Sequence, residues 1–133
     1  MIAILRELLE GLARVQDPAT GLWYQVVDKG DRADNWHDTS GSAMFTYAVQ
    51  RSVELGVADR GRYSPVAARG WEGVRTKAVA AADGGVDIID ACDGVCVQDN
   101  YDAYITYPKV PNAKEAVGGV LWAAAIMEYG TRG

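Results

Sequence analysis

The chain has 133 residues, 49% hydrophobic and 23% charged, with a net charge of −5 and a sequence pI near 4.7. That length fits a single domain, residues 1–133, with a real core, and the composition excludes a disordered chain. Its basic residues are scattered among acids rather than gathered in a stripe, which excludes a nucleic-acid backbone as the main partner.

The first predicted helix runs from about Ile2 to Val15, where Ile2, Leu5, Leu8 or Leu9, and Leu12 recur at three- and four-residue steps. Arg6, Glu7 and Glu10 interrupt the apolar pattern, so this is an amphipathic helix and not a secretion signal. Pro18 and Gly21 end it. An aromatic-rich extended run follows (Leu22, Trp23, Tyr24, Gln25, Val26, Val27), then a loop with Asp28, Asp31 and Asp34 that leads to Trp36. Those aspartates lack the glycine and closing glutamate of a calcium loop, so no metal is expected there.

A second helix is predicted from about Thr39 to Leu55, capped by Asp38 or Thr39 and stopped by Gly56. A third starts with Ser64 as cap and Pro65 in its first turn. It carries an Ala67, Trp71, Val74, Ala78 stripe and ends near Ala82. Residues 86–91 and 95–97 read as short extended segments around an Asp93-Gly94 turn, a small hairpin or loop. Cys92 and Cys96 are too few ligands for a metal site, with the single histidine, His37, far away in sequence. Two isolated cysteines suit reduced thiols, so a cytoplasmic location is expected. Tyr101, Tyr104 and Tyr107 fall in a proline-bounded loop.

The fourth helix is predicted from Asn112, in a capping-box-like spacing with Glu115, to about Tyr129. Val117, Val120, Leu121, Trp122, Ala124, Ile126 and Met127 make it apolar almost all round. The apolar run from Ala116 to Met127 is too short to span a bilayer, so no membrane partner is expected. A helix without a wet face needs cover on several sides. This implies packing against more chain or another copy.

The chemistry concentrates in residues 21–47. Two indoles, an amide and several carboxylates lie beside a helix N-terminus, which suits a sugar with its apolar C–H faces and rim of hydroxyls. The candidate binding residues are Trp23, Gln25, Trp36, Asp38, Thr39 and Ser40. Each has a structural alternative. The two tryptophans also serve to wall off the core, Gln25 to satisfy a loop carbonyl, and Asp38, Thr39 and Ser40 to cap the helix. His37 reads as a loop residue, and no nucleophile accompanies it in a Ser/His/Asp arrangement.

Gly21-Leu22-Trp23-Tyr24-Gln25-Val26-Val27-Asp28, followed by Trp36-His37-Asp38-Thr39-Ser40-Gly41-Ser42-Ala43-Met44-Phe45-Thr46-Tyr47, resembles the middle-to-late part of glycoside hydrolase family 105. Those are the unsaturated rhamnogalacturonyl hydrolases, related to the unsaturated glucuronyl hydrolases. The tail from Asp83 to Gly130 is similar to the family's end. The resemblance implies an all-α fold, an (α/α)6 toroid of which this chain supplies a C-terminal part. That part is about four main helices, with a small hairpin or extended loop near 86–97.

The resemblance also implies an oligosaccharide partner, made by a lyase from pectin and ending in a 4,5-unsaturated uronic acid. An aspartic acid protonates the vinyl ether carbon, water adds beside it, and the resulting hemiketal opens. No cofactor or metal is implied. The family's catalytic aspartates lie upstream of the matching block, as does its W-x-R-G-x-x-W motif. Arg69-Gly70-Trp71 is only an echo of that motif. No catalytic acid carries over onto this sequence, and a homo-oligomer is expected to cover the exposed seam of the partial ring.

Overall fold

The structure is a computed structural model that describes residues 1–130. Helix α1 spans Ile2–Val15, α2 spans Thr39–Glu54 and α3 spans Arg60–Arg75. Strand β1 (Ala78–Ala80) pairs antiparallel with β2 (Val86–Ile88), and β3 (Ala91–Cys92) with β4 (Lys109–Val110). The short helix α4 (Tyr101–Ile105) lies between β3 and β4, and α5 (Lys114–Ala124) runs on into a π-helical turn, Ala125–Tyr129.

Helix α2 is the hub of the fold. It packs against both α3 and α5. Leu9 and Leu12 of α1 join Trp23, Val49, Val53, Tyr63, Val66 and Ala67 in one buried cluster. Leu22, Ala43, Trp71, Val74 and Ala123 form a second, where α2, α3 and α5 meet. The segment after α1 is pinned between them. Gly21 has φ +76°, and its bare Cα lies against the Arg69 carbonyl, where a Cβ would collide. Only glycine tolerates both conditions.

The predicted bounds of the first two helices match. The third differs: its cap is Asp59, whose side chain accepts from the Arg62 N–H at 2.7 Å, and it ends at Arg75. Pro65 therefore lies inside the helix, and residues 78–80 are a strand. A small hairpin does form, but residues 86–88 turn back on 78–80 through Asp83-Gly84-Gly85, with Ala81 N–H donating to Gly85 O at 3.0 Å. Residues 95–97 form no strand, and Asp93-Gly94 turns the chain after β3 instead.

Asn112 does not cap the last helix. It has φ +58°, accepts from the Ile88 N–H at 2.9 Å and donates to Asp87 at 2.8 Å, which ties β2 to the start of α5. The all-round apolar character of α5 is real. Leu121 and Trp122 are each 63% exposed and Tyr129 of the π turn 73%, while Ala116, Gly119 and Ala123 are buried. Helix α1 likewise exposes Ile2, Ile4 and Leu8. No helix among the described residues is long and apolar enough to cross a membrane.

Candidate functional site

The run after Gly21 meets the run before α2 in an isolated antiparallel bridge, Tyr24 to His37. Gln25 N–H donates to Trp36 O at 2.7 Å and Asp38 N–H to Trp23 O at 3.1 Å, extending the pairing on both sides. Side chains alternate across such a ribbon. Tyr24 and His37 therefore share one face, where their rings lie 4.2 Å apart. Gln25 and Trp36 share the other.

On the Gln25–Trp36 face, three segments converge. The Trp36 indole is half-buried and its N–H donates to Ile105 O at the end of α4, 3.1 Å away, which fixes the ring. Lys109 Nζ sits over that ring, 5.0 Å from its centroid. Gln25 Nε2 donates to Cys92 Sγ at 3.3 Å, and Cys92 is the cross-strand partner of Lys109. Burial pushes the Cys92 thiol up, so it stays protonated at neutral pH and serves as a packed acceptor rather than a nucleophile.

The N-terminus of α2 is closed by its own residues. Asp38 Oδ2 accepts from Gly41 N–H at 2.7 Å and from Ser40 Oγ at 2.5 Å, and Oδ1 accepts from Cys92 N–H at 2.9 Å. Thr39 Oγ1 donates to Ile89 O at 2.7 Å. Asp38 is thus the joint between α2 and β3, with neither oxygen left over to present a proton to a ligand. Ser40 borders a shallow cavity of about 310 Å³ with Met44, Cys92, Gly94, Val95 and Glu115.

On the opposite face, His37 Nε2 lies 2.9 Å from Asp17 Oδ2. Burial lowers the histidine below its ordinary value, against the upward pull of Asp17. For Asp17, burial acts upward but is outweighed by hydrogen bonds from Thr20 and Ala19 and by His37, so the carboxyl lies below the usual range. A neutral His37 whose Nε2–H donates to ionised Asp17 satisfies both shifts. Farther along the loop, Asp34 accepts from the Tyr101 hydroxyl at 2.9 Å, which lowers its carboxyl, and Arg32 lies 4.3 Å over the Tyr101 ring. Among the described residues, no group of three or more His, Cys, Asp or Glu side chains is placed to hold a metal.

The predicted set therefore divides. Gln25 and Trp36 share a face that reaches solvent. Asp38, Thr39 and Ser40 adjoin them through Cys92 but spend their polar atoms inside the fold. Trp23 is 1% exposed and belongs to the core, its N–H donating to Leu12 O at 2.8 Å and its ring meeting Phe45 edge-on at 5.6 Å. Sequence reasoning missed Lys109, the hub role of Cys92 and the Asp17–His37 pair. The trace of the arrangement legible in the sequence is the placing of two indoles and an amide beside the N-terminus of α2.

The sequence profile of Glycosyl Hydrolase Family 88 matches residues 1–130. Protein Atu3128 of Agrobacterium fabrum and the 24.9 kDa protein in picA locus of Rhizobium radiobacter are each 31% identical over 132 aligned residues, covering 90% of this chain and 56% of the relative. The chain thus spans about half the length of these curated relatives. A C. acetobutylicum glycoside hydrolase from family 105 superposes with a TM-score of 0.84 at 29% identity, over 92% of this chain and 36% of that one. A possible member of GH105 family from Klebsiella pneumoniae gives a TM-score of 0.76 at 20% identity, over 96% of this chain and 32% of that one, a likeness of fold alone.

Proposed function

Because the chain belongs to Glycosyl Hydrolase Family 88 and folds as an arc of an α/α toroid, we propose that it forms the oligosaccharide-holding part of an unsaturated glycuronyl or rhamnogalacturonyl hydrolase. Its ligands are the unsaturated oligosaccharides that lyases release from pectin. The observation that carries this reading is the pairing of Gln25 with the half-buried, hydrogen-bonded indole of Trp36 on one accessible face. An immobilised aromatic face beside an amide offers a sugar both a stacking surface and a hydroxyl partner. Asp38, Thr39 and Ser40 support this face from behind.

Hydrolysis needs a carboxylic acid that keeps its proton near neutral pH. The Asp17 and Asp34 carboxyls are both displaced downward. Neither is that acid, and the resemblance carries no catalytic acid onto this chain, so the reading is of a chain that binds without turning substrate over. Adding the purified chain to a lyase digest of pectin is expected to leave the ultraviolet absorbance of the unsaturated uronate constant, while the digest quenches tryptophan fluorescence in a saturable way. Falling absorbance refutes the non-catalytic assignment, and an absence of quenching refutes the binding.

The exposed apolar residues favour a second reading, self-association through the toroid's flanks. Leu121 and Trp122 of α5 with Tyr129 of the π turn, and Ile4 and Leu8 of α1, form surfaces of the kind that ring neighbours cover. Sedimentation at micromolar concentration is expected to show an oligomer that Trp122→Glu dissociates. A monomer in both cases counts against it.

A further inference from the structure

Two surfaces of this chain are complementary to each other. On α1, Ile4, Glu7 and Leu8 stand at positions i, i+3 and i+4 and so share one face. Ile4 and Leu8 are more than half exposed, and among the described residues Glu7 takes part in no ion pair. That face offers two aliphatic knobs beside a carboxylate. The other surface is a groove of about 350 Å³ where α2 meets the end of α5, lined by Tyr47, Arg51, Trp122, Ala125 and Ile126. The Trp122 and Tyr47 rings lie against each other, 5.7 Å between centroids. Glu54 holds the Arg51 guanidinium at 3.2 Å. A guanidinium carries five N–H donors, so one carboxylate does not exhaust it.

We infer that the groove of one copy takes the Ile4–Glu7–Leu8 face of the next, so that the chain associates head to tail. This gives the self-association reading above its partner and its geometry, and rests on that reading. Ile4 and Leu8 enter the groove against the Trp122 ring, and Glu7 meets Arg51. Neither surface matches itself: one is convex and acidic, the other concave and basic. A two-fold contact needs a self-complementary patch, whereas unlike surfaces pair in a chain of contacts that ends only when the rotation closes. The chain superposes on 36% and 32% of two family-105 chains, about a third of a toroid, so the ring closes at three copies.

The test is sedimentation of the full chain at micromolar concentration, alone and in mixtures. The wild type is expected at three times the 14.3 kDa of one chain. Trp122→Glu spoils the groove and leaves the α1 face intact. Ile4→Glu combined with Leu8→Glu spoils the α1 face and leaves the groove. Each puts an unpartnered charge into an apolar contact, so each is expected to be monomeric by itself. Mixed one to one, they retain a single good contact and are expected to form a complex of two chains and nothing larger. The exchanged side chains are more than half exposed, so both variants are expected to melt at the wild-type temperature. A second readout uses no groove or α1 variant: diluting the wild type is expected to shift the Trp122 indole N–H signal and leave that of buried Trp23 in place. A two-chain wild type, a mixture of folded variants that stays monomeric, or a Trp122 signal indifferent to dilution overturns the head-to-tail contact, while self-association stands if the wild type is oligomeric. A monomeric wild type, as expected if these faces await a different chain, removes both.

Discussion

Replacing Trp23 by alanine is expected to destabilise the fold by about 3–5 kcal/mol, the range for emptying a buried tryptophan site. Trp23 is among the largest fully buried side chains, and it is where α1, α2 and α3 share a core. Its removal deletes the edge contact with Phe45 and leaves the Leu12 carbonyl without its indole donor. The site cannot collapse easily, because Gly70 brings α3 against the same ring with no side chain to move in. Domains of this kind have roughly 5–15 kcal/mol in total, so the variant sits near the unfolding threshold. Trp36→Ala offers the contrast, since its ring is half-exposed and its loss costs a single hydrogen bond and part of a contact surface. Urea unfolding of the two variants checks the difference. A Trp23→Ala protein with wild-type stability but impaired sugar binding refutes the placement of Trp23 in the core.

Removal of the Asp38 carboxylate is expected to have the next largest effect. Asp38→Ala loses an N-cap, worth about 0.5–2 kcal/mol. It also leaves the Cys92 N–H and the Ser40 hydroxyl without an acceptor in a buried place, at roughly 1–3 kcal/mol for an unsatisfied group. With one such group counted, the sum is about 1.5–5 kcal/mol. Asp38→Asn restores one acceptor oxygen but aims an NH₂ at a donor, so it recovers only part of the loss. Thermal melts of both variants, with sugar binding measured below the melting temperature, distinguish a structural joint from a ligand-touching acid. A stable Asp38→Asn protein that has lost binding identifies Asp38 as a contact residue instead.

Local chemistry made much of this architecture legible. Helix α1 is written in its apolar spacing, and α2 in the Asp38 cap and the Gly56 stop, because both signals act within a few residues. Competing local signals misplaced the start of α3. Asp59 and Ser64 are both good caps, and the earlier one wins because Tyr63 and Val66 must join the core from within the helix. The apolar stripe continuing to Ala78 suggests helix as far as Ala82, whereas residues 78–80 are a strand that Asp83-Gly84-Gly85 joins to the next. Asn112 had the composition of a cap, yet β2 holds it from a distant part of the chain.

The candidate site divided for the same reason. Trp23 and Trp36 look alike in sequence, and only long-range partners separate them: Leu12 and Phe45 around one, Ile105 and Lys109 around the other. Nothing near Lys109 in the sequence points to Trp36. The ladder between β3 and β4 brings them together, and two-residue strands leave almost no periodic trace.

The central claim, that the Gln25–Trp36 face is where this family member meets its saccharide, is tested most directly by resolving the response to the lyase digest residue by residue. The chain has four tryptophans, at 23, 36, 71 and 122, and so four indole N–H signals. A nitrogen-resolved titration is expected to move the Trp36 signal in a saturable way while Trp23 and Trp71, both buried, stay in place. A response at Trp122 with Trp36 unmoved, or no response at any of the four, contradicts it.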